Sequence, residues 1–207
     1  MSGELHIRIS VVGDSGVGKT CLIERFVYDI WNDCPHRTIG LEFRRKAAKI
    51  NERQVAVVLL DISGHDRYQF LPRSLFRSTD GIIFVYDVTK EDSLKNITTK
   101  WNALVEDRQP HSPKMLVADK SDMTSERIVT EDAGRQLADR LELSYMETSC
   151  KTGKGVGELF SMIIGACIKY HELRSMPDHR PKEAVGHNFR RQGLLEFSHE
   201  ELGHCSI

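Results

Sequence analysis

The sequence predicts an α/β protein with a doubly wound sheet of six strands, mostly parallel, with one antiparallel edge strand. Apolar runs alternate with helical patterns up to residue 172, as expected for strands covered by helices on both faces. Two β-like runs, 41–50 and 54–61, stand on either side of a short polar turn and predict an antiparallel hairpin. The short apolar run 82–87 is typical of a buried parallel strand.

The remaining elements follow from the same patterns in chain order. Strands are predicted at residues 5–12, 114–118 and 143–147, and helices at 17–28, 93–107, 130–140 and 156–171, with Asp92 as the N-cap of the second helix. The periodic pattern ends after Glu172. We therefore predict one domain over residues 1–173 and a flexible, hypervariable tail over 174–207.

Composition narrows the class of protein. The chain has 207 residues, 40% of them hydrophobic and 29% charged, with a net charge of -1, so no basic field indicates a nucleic-acid partner. No apolar run approaches the roughly 18 residues of a membrane span, and the start of the chain lacks a signal-peptide pattern. The five scattered cysteines predict reduced thiols in the cytoplasm, and the nine histidines show no metal-ligand spacing.

Residues 13–20 form a glycine-rich phosphate-binding motif, G-x-x-x-x-G-K-[ST], between the first strand and the first helix. Its glycines let backbone N–H groups point at phosphate oxygens, and the helix N-terminus adds a positive dipole. Lys19 is expected to reach the β- and γ-phosphates, and the Thr20 hydroxyl to bind Mg²⁺. An ordinary glycine-rich turn is the alternative. The candidate nucleotide-binding residues here are Asp14, Ser15, Gly16, Val17, Gly18, Lys19, Thr20 and Cys21.

Four further segments resemble those of a known family. They are Thr38-Ile39-Gly40-Leu41-Glu42-Phe43, Asp61-Ile62-Ser63-Gly64-His65-Asp66-Arg67-Tyr68, Asp119-Lys120-Ser121-Asp122 and Glu147-Thr148-Ser149-Cys150-Lys151. In this order and spacing they are similar to the switch I, switch II, N-K-x-D and E-T-S-A-K segments of Ras-superfamily small GTPases, and most resemble a Rab. The resemblance implies a P-loop G domain that hydrolyses GTP and acts as a GTP/GDP switch in vesicle trafficking or signalling.

The resemblance implies roles for residues around the γ-phosphate. Thr38 and Asp61 would join Thr20 in holding Mg²⁺, with Asp61 acting through a water molecule. Gly64 would contact the γ-phosphate through its N–H, and His65 occupies the position of the residue that orients the attacking water. Loss of the γ-phosphate would then release both switch segments.

The resemblance also implies a guanine site. Trp31 would pack against the base, although a partly exposed core tryptophan is the alternative, and the Lys120 stem would lie along it. The Asp122 carboxylate only accepts, which suits the N1–H and N2–H₂ donors of guanine. The backbone of Ser149, Cys150 and Lys151 would face O6.

Two positions depart from the family pattern. His65 stands where the family has glutamine, and a rigid imidazole positions a donor and an acceptor differently from a flexible amide. We expect weaker hydrolysis, unless another group or a partner substitutes. Asp119 stands where the family has asparagine, so an ionised carboxylate cannot donate to guanine N7. A lost hydrogen bond costs about 1–3 kcal/mol, unless Asp119 is protonated or turned away.

The expected partners are effector, exchange-factor and GTPase-activating proteins that bind switch I and switch II. Phe43 keeps an aromatic residue of the Rab-like surface, but Leu60 and Leu75 stand where a Rab has Trp and Tyr. Pro72 interrupts the switch II helix pattern. Effector recognition is therefore specific to this chain, or the surface is a generic one that has drifted in sequence. Cys205, third from the end, fits the C-a-a-X lipidation rule poorly, and an unmodified thiol is the alternative. We expect a cytoplasmic protein, with peripheral attachment to a cytosolic membrane face left open. A GTP-bound scaffold that barely hydrolyses GTP is the alternative function.

Overall fold

The computed structural model describes residues 5–32, 38–50, 53–65, 78–106 and 111–175. Its six strands form one sheet in the order β2-β3-β1-β4-β5-β6. The strands are β1 (Leu5–Val12), β2 (Leu41–Ile50), β3 (Arg53–Ile62), β4 (Gly81–Asp87), β5 (Lys114–Asp119) and β6 (Ser144–Glu147). Only β2 runs antiparallel, pairing with β3, so the predicted sheet and its antiparallel edge strand are confirmed.

Helices cover both faces of the sheet. They are α1 (Lys19–Tyr28), α2 (Glu91–Asn96), a π-helix (Ile97–Asn102), α3 (Ala103–Glu106), α4 (Glu131–Arg140) and α5 (Val156–Ser175). None of the helices in the described ranges is both long enough and apolar enough to span a membrane.

Two apolar clusters, one on each sheet face, form the core. One packs α1 and α5 against the sheet, with the Phe26 and Phe160 rings stacked at 3.9 Å between centroids. The other packs the π-helix and α4 against Phe84 and Tyr86 of β4. Strand β4 is buried along its whole length, as expected for a parallel strand covered on both faces.

Several predicted boundaries differ from the structure, among them the start of α1, which lies at Lys19 and not at residue 17. Helix α2 begins at Glu91, and its N-cap residue is Lys90, so the prediction of Asp92 as the N-cap was wrong. Asp92 lies in the first turn, where a carboxylate favours the positive end of the helix dipole. Helix α5 runs four residues past the predicted end at 171, to Ser175. The tail from residue 176 lies outside the described ranges, and the domain boundary near 173 stays a prediction.

The parallel strands carry acidic residues to one edge of the sheet. Strands β1, β3, β4 and β5 run in the same direction, so their carboxyl ends meet there. Asp61 near the end of β3, Asp87 at the end of β4 and Asp119 at the end of β5 all lie at this edge. Binding crevices of open α/β sheets form outside the carboxyl ends of the strands.

Candidate nucleotide-binding site

The phosphate loop is shaped by glycines that no other residue could replace. Gly13 has φ 149°, and a Cβ there would lie 2.2 Å from the Val85 carbonyl oxygen. Gly18 has φ 110°, and a Cβ there would lie 2.2 Å from Asp119 Oδ2. The loop therefore packs directly on the ends of β4 and β5, and it ends at the first turn of α1.

Lys19 begins helix α1 and points back into the loop. Its side chain is buried, and Nζ donates to the Asp14 carbonyl at 2.7 Å. Burial lowers the pKa of Lys19 to about 8, although the nearby Asp61 and Asp14 carboxylates oppose the shift. A desolvated ammonium group beside the helix N-terminus is suited to receive phosphate oxygens.

Three oxygen-bearing side chains meet beside Lys19. Thr20 Oγ1 donates to Asp61 Oδ2 at 2.6 Å, and Thr38 Oγ1 lies 2.8 Å from Thr20 Oγ1 and 3.2 Å from Asp61 Oδ2. Asp61 Oδ1 is buried and has no hydrogen-bond partner among the described residues. Burial raises the pKa of Asp61, while the hydrogen bond from Thr20 works against that shift. Hydroxyl and carboxylate oxygens with one unsatisfied buried acceptor fit a Mg²⁺ site with bound water.

The start of the switch II segment lies against the phosphate loop. A Cβ on Gly64 would be 2.3 Å from the Asp14 carbonyl carbon, so only glycine allows this approach. His65 follows on the exposed side, with its backbone N–H donating to Ser63 Oγ at 3.4 Å. Gly64 therefore lies against the phosphate loop, and His65 lines the same cavity.

Asp119 is almost fully buried behind the loop. Its Oδ1 accepts from Thr148 Oγ1 at 3.0 Å and from the Cys150 N–H at 3.2 Å. The Cys150 thiol lies 3.2 Å from Oδ1 and 3.1 Å from Oδ2. Burial raises the pKa of Asp119 to about 6, against the opposing effect of these hydrogen bonds. Near neutral pH the carboxyl group is therefore mostly ionised, and partly protonated in mild acid.

The other predicted base-site residues surround the same crevice. Lys120 Nζ donates to the Gly16 carbonyl at 3.1 Å and to Asp87 Oδ2 at 2.6 Å. It therefore connects the loop after β5 to the phosphate loop. Ser149 Oγ donates to Asp122 Oδ1 at 2.6 Å. Lys151 Nζ lies 5.4 Å from the centroid of the Trp31 ring, which holds that half-buried ring beside the crevice.

One cavity of about 1120 Å³ connects the phosphate and base ends, a volume sufficient for a nucleotide. It is lined by most of the predicted residues, namely Ser15, Gly16, Gly18, Lys19, Thr20, Cys21, Trp31, Thr38, Gly64, His65, Asp119, Lys120, Asp122, Cys150 and Lys151. Four predicted residues lie behind this lining. Asp14, Asp61 and Ser149 hydrogen-bond residues of the lining, while Val17 is buried in the core.

Sequence reasoning missed several lining residues: Asn32, Ile39, Ser63, Lys90, Met123, Ser125 and Glu126. Lys90 is the notable one, because its Nζ lies 3.9 Å from where a Cβ on Gly16 would be and 3.9 Å from Asp87 Oδ2. The signal was a basic residue three positions after the carboxyl end of β4.

The fold and the cavity define a phosphate-loop nucleotide-binding protein, and the comparisons with known proteins agree. Residues 8–169 match the model of the Ras family. Ras-related protein SEC4 of Saccharomyces cerevisiae is 39% identical over 154 residues, covering 74% of this chain and 71% of that protein. GTP-binding protein YPTM2 of Zea mays is 33% identical over 162 residues, 78% of this chain and 79% of that protein. Ras-related protein Rab-1D of Dictyostelium discoideum is 32% identical over 157 residues, 76% and 77% of the two chains. The chain belongs to the Ras family and is a Rab-like small GTP-binding protein.

The first prediction concerns the missing donor at Asp119. Asp119→Asn should slow the release of GDP and GTP by about tenfold, equivalent to roughly 1.4 kcal/mol, because an amide can donate where the carboxylate cannot. Stopped-flow release of a fluorescent guanine nucleotide measures the rate. Asp119→Ala, which supplies neither donor nor acceptor, is the control and should not slow release. An unchanged rate in Asp119→Asn would mean that Asp119 already donates or is turned from the base.

The second prediction concerns the pH dependence of Asp119. Its folded pKa of about 6 lies above the ordinary value of 3.8, so folding favours the protonated form. The stability that this group contributes is full below about pH 4 and is lost as pH rises through about 6. The protonated form can also donate. Nucleotide release from the wild type should therefore slow as pH falls from 7.5 to 5.5, and this slope should be absent in Asp119→Asn. The same slope in both proteins would assign the effect to another group.

Proposed function

We propose that this chain is a GTP/GDP switch of the Rab type, acting in vesicle trafficking or signalling, with weak intrinsic GTP hydrolysis. The observation that carries the proposal is the meeting of Thr20, Thr38 and Asp61 within hydrogen-bonding distance. These residues come from the phosphate loop, the switch I segment and the start of the switch II segment. A single ligand bound among them can therefore hold both switch segments at once.

The phosphate end would work through charge and position. Lys19 would donate hydrogen bonds from its ammonium group to the β- and γ-phosphates, and backbone N–H groups of residues 15–20 would surround the same oxygens. Thr20 and Thr38 would hold Mg²⁺ directly and Asp61 would hold it through a water molecule. The bound ion supplies charge neutralisation at the β- and γ-oxygens. After hydrolysis, Thr38 and Gly64 would lose their shared phosphate partner, and the two segments would separate from the loop.

The base end would select guanine by the direction of its hydrogen bonds. Asp122 is held by Ser149 at the cavity wall, and its carboxylate can accept both N1–H and N2–H₂. Adenine presents an acceptor at N1 and would be repelled. Trp31, positioned by Lys151, would cover the base.

A second candidate function is a GTP-bound scaffold that barely hydrolyses GTP. It is favoured by His65, which stands where a glutamine amide would orient the attacking water, and by Asp119, which lacks the donor to N7. Loose binding lets GTP enter without an exchange factor, and slow hydrolysis lets it persist. The steady state depends on the ratio of the exchange rate to the hydrolysis rate.

Partner proteins would bind through the switch surfaces. Ile39 is 76% exposed and Phe43 is 55% exposed, and both lie in the switch I segment, whereas Leu60 opposite Phe43 is buried. Pro72, Leu75 and Cys205 lie outside the described residues. Lipidation of Cys205 would add peripheral binding to a cytosolic membrane face, since one lipid chain alone anchors weakly.

The third prediction tests the base. GTP should compete with a labelled guanine nucleotide, and ATP at equal concentration should not. Asp122→Asn should shift the preference to xanthine nucleotides, because the C2 oxygen of xanthine accepts where guanine donates. Equilibrium competition in Mg²⁺ measures both effects. Equal displacement by ATP and GTP would contradict the proposal.

The fourth prediction tests hydrolysis. His65→Gln should raise the single-turnover rate of GTP hydrolysis about tenfold, equal to roughly 1.4 kcal/mol of barrier, and should leave nucleotide release nearly unchanged. His65→Ala is the control and should not raise the rate. Protein isolated from cells should carry mostly GTP as wild type and more GDP as His65→Gln. Mostly GDP in the wild type would reject the scaffold alternative, and an unaffected hydrolysis rate would show that another group positions the water.

A further inference from the structure

The carboxylate of Asp14 in the phosphate loop does not face the cavity. It accepts two hydrogen bonds from a distant helical segment: Asn96 Nδ2 donates to Oδ2 at 2.7 Å and Trp101 Nε1 donates to Oδ1 at 2.9 Å. Each carboxylate oxygen thus has its own donor, and charge-assisted bonds of this length are among the stronger ones in proteins. The two donors form a clamp on the phosphate loop, which we call the Asp14 clamp (Asp14, Asn96 and Trp101).

The clamp depends on a change of helical register. Asn96 is the last residue of α2, and Trp101 lies within the π-helix that follows it. Residues five apart on an α-helix point about 140° away from each other. In a π-helix the i→i+5 hydrogen bond places them one turn apart on the same side. The π-helix therefore allows both donors to reach a single carboxylate, and short π segments are frequent at functional sites.

Trp101 is held firmly in this position. Its side chain is 3% exposed and packs in the apolar cluster on that face of the sheet. Lys100 Nζ lies over the ring, 4.6 Å from its centroid. Because the ring is fixed by packing, its N–H is held toward the Asp14 carboxylate.

The peptide group of Asp14 is where the contacts of the phosphate site meet. Its carbonyl accepts from Lys19 Nζ at 2.7 Å. Gly64 packs on the peptide between Asp14 and Ser15, where a Cβ would lie 2.3 Å from the Asp14 carbonyl carbon and 2.4 Å from the Ser15 nitrogen. A shift of Asp14 would therefore move the Lys19 ammonium and the contact with switch II together.

We propose that Asn96 and Trp101 are positioning residues for nucleotide binding, which act through the carboxylate of Asp14 to hold the phosphate loop in its binding shape. They touch neither the cavity nor the predicted Mg²⁺ ligands in the described residues. The inference rests on nucleotide binding at the phosphate loop, and it assigns to the π-helix a part in that binding.

The test is a double-mutant cycle on full-length protein loaded with fluorescent GDP and Mg²⁺. Trp101→Phe keeps an aromatic ring at this packed position and removes the N–H, and Asn96→Ala removes the other donor. Each should speed nucleotide release about 10-fold or more, which corresponds to the lower end of the range for a hydrogen bond to a charged group. Asp14→Ala should speed release at least as much. Adding Trp101→Phe to Asp14→Ala should change the rate by less than about twofold, because the acceptor is already gone.

Thr99→Ala is the matched control, because Thr99 lies in the same π-helix with its hydroxyl bonded to the Lys95 carbonyl on the exposed side. It should leave release unchanged. General destabilisation of the helix would make the effects of Trp101→Phe and Asp14→Ala multiply, and that result would overturn the proposal. Wild-type protein that binds GDP while all clamp variants release it at the wild-type rate would overturn this inference alone. Wild-type protein that does not bind GDP would overturn the proposed function as well.

Discussion

Three buried carboxylates at one edge of the sheet are the constraint on which the site depends. Asp61, Asp87 and Asp119 lie at or near the carboxyl ends of three parallel strands, and none is more than 2% exposed. A buried charge is costly unless donors surround it. Each carboxylate is therefore bound by its own set of donors from the surrounding loops and helices. Asp61 binds Thr20 and Thr38, Asp87 binds Thr89 and Lys120, and Asp119 binds Thr148 and Cys150.

Lys120 makes the phosphate and base ends a single network. It adopts a left-handed backbone conformation with φ 65°, which is uncommon for a residue with a side chain. That conformation lets Nζ reach both Asp87 at the sheet edge and the Gly16 carbonyl in the phosphate loop. A strained backbone conformation persists where surrounding contacts fix the residue, as these two hydrogen bonds fix Lys120. Displacing either contact would loosen both ends of the nucleotide site.

The phosphate loop and the mostly parallel sheet with one antiparallel edge strand could be predicted from the sequence, because both depend on local patterns of residues. The contacts from Asn96 and Trp101 to Asp14 could not be predicted, since they span 82 and 87 residues and require a π turn that has no spacing signature. The N-cap of α2 was misplaced for a related reason. Asp92 has the composition of a cap, but the chain path after β4 starts the helix at Glu91. The raised pKa of Asp119 also depends on burial, which a motif does not report.

Asp119, the unusual residue of the base site, lies against Cys150, and this contact determines how the buried carboxylate is accommodated. The Cys150 thiol contacts both oxygens of Asp119. Burial, and then the charge of Asp119, raises the pKa of that thiol above its ordinary value, so the thiol keeps its proton and can donate. Thr148 and the Cys150 N–H supply the other donors. These donors satisfy the carboxylate oxygens from within the protein. An ionised Asp119, however, has no proton to donate to N7 of a bound base. The replacement of an amide by a carboxylate is thus expected to weaken the hold on the nucleotide through the missing donor. Because burial raises the pKa of Asp119, the ionised carboxylate also lowers the stability of the fold near neutral pH.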